Sequence, residues 1–196
     1  LSWRNLVRIG VSFAGFRAFA FIARQLRESV TAAKEFDQAL SEIQSVAVSN
    51  TIATSKWNSQ LTALSNNFGI DRIEAAEASY QALSNQVVVS AEATNFLQEQ
   101  VKLATVTLSS LDDAVAVSSS VMNAFGLNAS SANEITAVLF KTVELGRLRL
   151  SEIADTLGRV SVLSAQLGVS FTEQQAAIAI LTRRGFKANE AMTLLR

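Results

Sequence analysis

The 196-residue chain contains no histidine, no cysteine and no proline, and only one tyrosine and two tryptophans. Each absence removes a class of chemistry or structure. Without histidine or cysteine, acid–base and nucleophilic catalysis would rest on Asp, Glu, Lys, Tyr, Ser and Thr alone. Without cysteine there is no disulfide framework, no thiolate nucleophile and no thiolate metal site, and the redox compartment is left open. The eight glycines are scattered, with no GxGxxG, GxxxxGK[ST] or GxSxG pattern, so neither a phosphate cradle nor a nucleophile elbow is indicated.

Charge of neither sign predominates, with 17 basic and 17 acidic residues. The balance conceals zones. Residues 1–27 hold five arginines and no acid, residues 28–134 four bases against twelve acids, and residues 135–196 eight bases against five acids. Such zoning suggests that the basic ends and the acidic middle meet different surroundings or each other, and it is weak support for nucleic acid as a specific ligand.

Long hydrophobic runs are lacking as well. The longest uncharged stretch, Ala114 to Asn133, includes Ser118, Ser119, Ser120, Asn123, Asn128, Ser130 and Ser131, and reads as a polar helix and turn. Near the start, eight uncharged residues separate Arg8 from Arg17 and six separate Arg17 from Arg24, short of the roughly 20 that a membrane span needs. Residues 1–27 also lack the pattern of a signal peptide. Because the chain opens on Leu1 without an initiator methionine, a fragment of a longer protein is expected.

What is present is helical periodicity. Leu6, Ile9, Phe13, Phe16, Phe19, Ala20, Ala23, Leu26 and Val30 predict one long helix over residues 1–48, bent at Gly10 or Gly15. It reads as an aromatic-rich helix packing on identical copies or another partner, with a membrane-active segment as the second reading. From about Ala53, helical patterns of roughly 12 to 17 residues alternate with short breaks, as in a compact helical domain. Gly69, Gly126, Gly168 and Gly185 stand where helices end in a left-handed residue, each followed by an apolar one, and Leu145-Gly146 ends a further helix without that follower. Ser131 with Glu134 and Thr172 with Gln175 fit a capping box, and Ser110 with Asp113 an acidic version of it.

Within the helices, Ile153, Leu157, Val160, Leu163 and Leu167 form one apolar stripe. A second, Leu111, Val115, Met122 and Phe125, is interrupted by Ser118, which predicts close backbone approach there. Met122 reads as core filler, and Val87-Val88-Val89 as a buried connector. The chain is therefore all-α: an arm over residues 1–48, then a compact array of short helices over residues 49–196.

No constellation of these residues makes a catalytic, cofactor-binding or metal site. Glu74 and Glu77 lie three apart and would be able to share a metal, but Arg72 is close and no histidine completes the set, so a solvated acidic face is the better reading. Asp112 and Asp113 fall in a first helical turn, where the helix dipole favours them. Arg183, Arg184 and Lys187 form the densest basic cluster; a helix C-terminus accounts for two of them, and phosphate contact is the lesser reading.

The blocks TAAKEFDQALSEIQSV from Thr31, Phe96 to Ala104 (FLQEQVKLA), Val121 to Leu127 (VMNAFGL), Leu139 to Gly146 (LFKTVELG), Leu150 to Gly158 (LSEIADTLG) and Leu163 to Arg196 occur in an order that resembles the conserved core of phage tail tape-measure proteins. The resemblance covers about five-sixths of the chain. One departure is Val162, where many members carry proline, which leaves a local kink open. The resemblance implies a structural virion protein of the tail tube or tail tip, without enzymatic activity or cofactor. Such a protein sets tail length during tail assembly and takes part in genome ejection. It also implies partners: three or six copies of itself, tail-tube and tail-tip or baseplate proteins, and the host membrane during ejection. The alternative is a non-viral helical-bundle interaction or signalling domain, which long uninterrupted heptads would mark. A lytic enzyme fused within such a protein would bring catalytic motifs, and none is read here.

Overall fold

The computed structural model describes Arg24 and residues 28–47, 54–89 and 92–196; the apolar positions and glycine bends predicted for residues 1–23 lie outside these. The described residues are all-α. Residues 28–46 form α1, followed by α2 (Thr54–Phe68), α3 (Arg72–Ser84), α4 (Ala93–Thr107), α5 (Leu111–Phe125), a 3-10 turn (Ala129–Ser131), α6 (Ala132–Gly146), α7 (Ser151–Gln166), α8 (Phe171–Arg183) and α9 (Ala188–Leu194). The chain divides into two units, Leu1–Gln38 and Ala39–Arg196.

In the second unit α5 is the central helix. It packs most extensively on α7, and also against α3 and α4; α4 reaches α6, and α6 lies along α8. The core combines large residues, Trp57, Phe96, Leu97, Leu103, Met122, Leu139, Leu150, Ile153 and Leu157, with small ones such as Ala75, Ala76, Ala82, Ala93 and Ala114. Small residues let helix axes approach closely. A Cβ placed on Gly158 of α7 would stand 3.2 Å from the Ser120 Cβ of α5, so these two residues mark the tight crossing. The sequence had placed the close approach at Ser118. Its hydroxyl instead donates to Gln100 Oε1 of α4 at 2.6 Å, because a buried hydroxyl needs an acceptor and α4 supplies one.

The glycine punctuation holds at four places. Gly69, Gly126, Gly168 and Gly185 all have positive φ. At Gly126 the left-handed residue lets the Leu127 N–H reach back to the Met122 carbonyl at 2.8 Å, closing the end of α5. Leu145-Gly146 ends α6 as expected, but Gly146 is not itself the left-handed residue. It is the last helical residue of α6, and the left-handed position falls on Arg147, φ 55°. A Cβ at 146 would meet Thr182 Oγ1 at 2.6 Å and the Ala179 Cα at 3.1 Å, so glycine is needed for the contact with α8 and a side-chain-bearing residue takes the turn.

The helix starts are also revised in part. Ser110 accepts the Asp113 N–H at 3.0 Å, as expected. Ser131 makes no capping bond; Asn128 caps the preceding 3-10 turn by accepting from Ser130 N–H. The capping box of α8 is Ser170 with Glu173, two residues before the predicted Thr172 and Gln175, because α8 begins at Phe171, which is buried. On α7 the stripe holds for Ile153, Leu157 and Val160, then passes to Ser161 and Ser164, leaving Leu163 half-buried and Leu167 exposed. A 3.6-residue repeat drifts off a line of alternating three- and four-residue steps, and α8 packs on the serine side, where Gln174 Oε1 accepts from Ser161 at 3.2 Å. Helix α7 runs unbroken through Val162. Val87 and Val88 are buried in the connector as predicted, while Val89 is exposed.

Candidate functional site

The acidic residues singled out in the sequence lie apart. Glu74 and Glu77 are exposed on α3, and among the described residues no three acidic side chains come close enough to hold a metal ion. Asp112 and Asp113 occupy the first turn of α5, and the Gln81 side-chain amide of α3 donates to Asp112. The Asp112 carboxylate thus fastens the start of α5 to α3. At the start of α8 the hydroxyl and N–H of Ser170 both donate to Glu173, and these bonds hold its carboxyl below the ordinary value of 4.5.

The basic cluster is divided by the fold. Arg183 and Arg184 end α8, where the carbonyl end of the helix favours cations. Lys187 precedes α9 and lines a cleft of about 490 Å³ with Arg147, Glu152, Thr182 and Phe186. Sequence spacing alone gave no sign that Arg147 and Lys187 share this cleft.

Surfaces offer more than side-chain chemistry. A groove of about 360 Å³ runs between α6 and α8, lined by Ala137, Val138, Thr142, Leu145, Thr172, Gln175, Ala176 and Ala179 with Glu134 and Lys141 at its charged positions. Its α6 residues fall at steps of three and four, on one helical face. The groove leaves little trace in the sequence because Ala and Thr carry little hydrophobic signal. The spacing 134, 137, 138, 141, 142, 145 was the available clue. Among the described residues no helix is long and apolar enough to cross a membrane.

Against known proteins, the chain is 25% identical over 167 residues to a probable tape measure protein of Clostridium phage phiCD119, covering 84% of this chain and 18% of that protein. It is 24% identical over 168 residues to a tape measure protein of Pneumococcus phage Dp-1, covering 86% of this chain and 14% of that one. The chain thus spans about a sixth of the length of these relatives. No solved structure matches it. The family model of phage-related minor tail proteins matches residues 58–196, from within α2 through α9 to the last residue, and the chain belongs to that family.

Proposed function

We propose that this chain is part of a tape-measure-type tail protein, a non-enzymatic component of the phage particle that sets tail length during assembly and takes part in genome ejection. The observation that carries the proposal is the match to two tape measure proteins over most of this chain. Physical reasoning supports a division of labour. A continuous helix advances about 1.5 Å per residue, so a ruler has to be extended. Helices of 13 to 16 residues that turn back on one another, as α2 to α8 do, cannot act as one. Residues 49–196 are in this reading a compact module near one end of the tail, at the tip or within the tube lumen, and the arm over residues 1–48 continues into a rod. The arm's apolar surface associates three or six copies around the tail axis, with tube and tip or baseplate proteins as further partners. During ejection the module unpacks and the basic arm meets the host membrane.

The test is tail length. An in-frame helical insertion of about 28 residues in the extended part should lengthen tails by about 42 Å in electron micrographs, whereas the same insertion inside α5 should abolish tails. Tails of unchanged length from the first insertion would refute the ruler reading. Equal protease resistance of the module in full and emptied particles would refute its unpacking.

A further inference from the structure

The groove between α6 and α8 is self-complementary in charge. Glu134 and Lys141 line it seven residues apart on α6, two helical turns along the same face. Midway between them lie Ala137 and Val138, and Ala137 and Ala176 are exposed small residues that permit close approach. Leu145, 53% exposed, extends the apolar surface at one end. A second observation points to an occupant. Gln175, on the groove wall, is 2% exposed, yet neither its Oε1 nor its Nε2 has a hydrogen-bond partner. A buried amide with both ends unmet is costly in an isolated module and is relieved when a polar group arrives from outside.

We propose that the occupant is a second copy of this chain, seated antiparallel across a two-fold axis that passes beside Ala137 and Val138. In that register Glu134 of each copy faces Lys141 of the other, so one contact is made twice. A parallel arrangement would set Glu134 against Glu134 and Lys141 against Lys141, which disfavours it. Lys141 pairs with Glu144 within its own helix at 2.6 Å, but the lysine is mostly exposed and the glutamate half-exposed, and such a pair is readily exchanged. A ring of three copies about the tail axis has no such two-fold, so in that arrangement the contact belongs to the chain before the tail forms.

Since the chain has no cysteine, a single introduced thiol reports the geometry without interference. The 196-residue protein carrying Ala137→Cys should form a disulfide-linked dimer under mild oxidation, and Asn189→Cys, an exposed position on α9, should not. Adding Lys141→Glu or Glu134→Lys should each lower the dimer yield on the order of tenfold, since each turns two attractions into two repulsions. Combining the two reversals should restore it. Equal cross-linking at positions 137 and 189, single reversals without effect, or a double reversal that fails to rescue would each overturn the proposal.

Discussion

Replacing Gly158 by alanine sets two effects of known sign against each other. In a helix interior, alanine is more favourable than glycine by about 1 kcal/mol. In α7, however, the added methyl would stand 3.2 Å from the Cβ and 3.3 Å from the Oγ of Ser120. The hydroxyl can rotate away, but the Cβ is fixed to the α5 backbone, so the two helices must separate by a few tenths of an ångström. They are the most extensively packed pair in the module. Overpacking of this kind costs about 1–3 kcal/mol, and the net expectation is a loss of about 1 kcal/mol. The decisive measurement is a double-mutant cycle by urea unfolding. In a Ser120→Gly background the obstructing Cβ is gone, and Gly158→Ala should then stabilise by about 1 kcal/mol. A change of sign between the two backgrounds is the signature of the crossing. Stabilisation by the same amount in both would refute the claim that Gly158 and Ser120 set the distance between α5 and α7.

Among the described residues three helix ends adopt left-handed backbone without glycine, Gln86 at φ 57°, Leu108 at φ 52° and Arg147 at φ 55°. Leu108 is 94% exposed, so Leu108→Gly removes strain with little loss of packing and should raise stability by about 1 kcal/mol in thermal unfolding. Ser118→Ala removes the donor to Gln100 Oε1, and because Gln100 Nε2 is already unpartnered the whole buried amide is orphaned. A loss of about 1–3 kcal/mol in urea unfolding is expected. Glu173 is held below its ordinary value of 4.5 by two bonds from Ser170. Its contribution is thus complete above that value and is lost as pH falls through the lower folded value. The stability difference between the wild type and Glu173→Gln should accordingly be present at pH 6 and vanish in strong acid, and Ser170→Ala should shift the Glu173 carboxyl resonance titration upward.

The sequence showed where helices stop better than where they start or how they touch. Four glycine stops were legible because a left-handed residue followed by an apolar one is a local demand, satisfied within a single turn. Capping boxes were less legible, since Ser170-Phe171-Thr172-Glu173-Gln174-Gln175 offers two overlapping frames and only the burial of Phe171, against whose ring Phe125 sits edge-on at 5.8 Å, selects the first. Burial is a tertiary fact. For the same reason the stop at Gly146 was legible but the need for glycine there was not: a Cβ would meet the backbone of Ala179, thirty-three residues away in sequence. The groove was hidden by its own composition, because it is lined largely by small alanine and threonine side chains, and smallness leaves a weak mark in any hydrophobic pattern.

Functional legibility followed a different rule. No catalytic or metal-binding motif was there to be read in the sequence, so the order of helix-and-stop blocks carried the resemblance, and the family match extends over residues 58–196. Close helix crossings at Gly146 and Gly158 give density without large side chains. The same economy leaves buried polar atoms unpartnered on Gln100, Ser119, Thr136, Gln174 and Gln175. A core assembled in this way depends on short contacts that lose about a quarter to a half of their attraction together once two helices part by about 0.5–1 Å, and each unmet polar atom favours the opened state, where water satisfies it. Cooperative packing combined with buried polar groups is what a module needs if it is to be rigid in an assembled particle and also come apart in a single step.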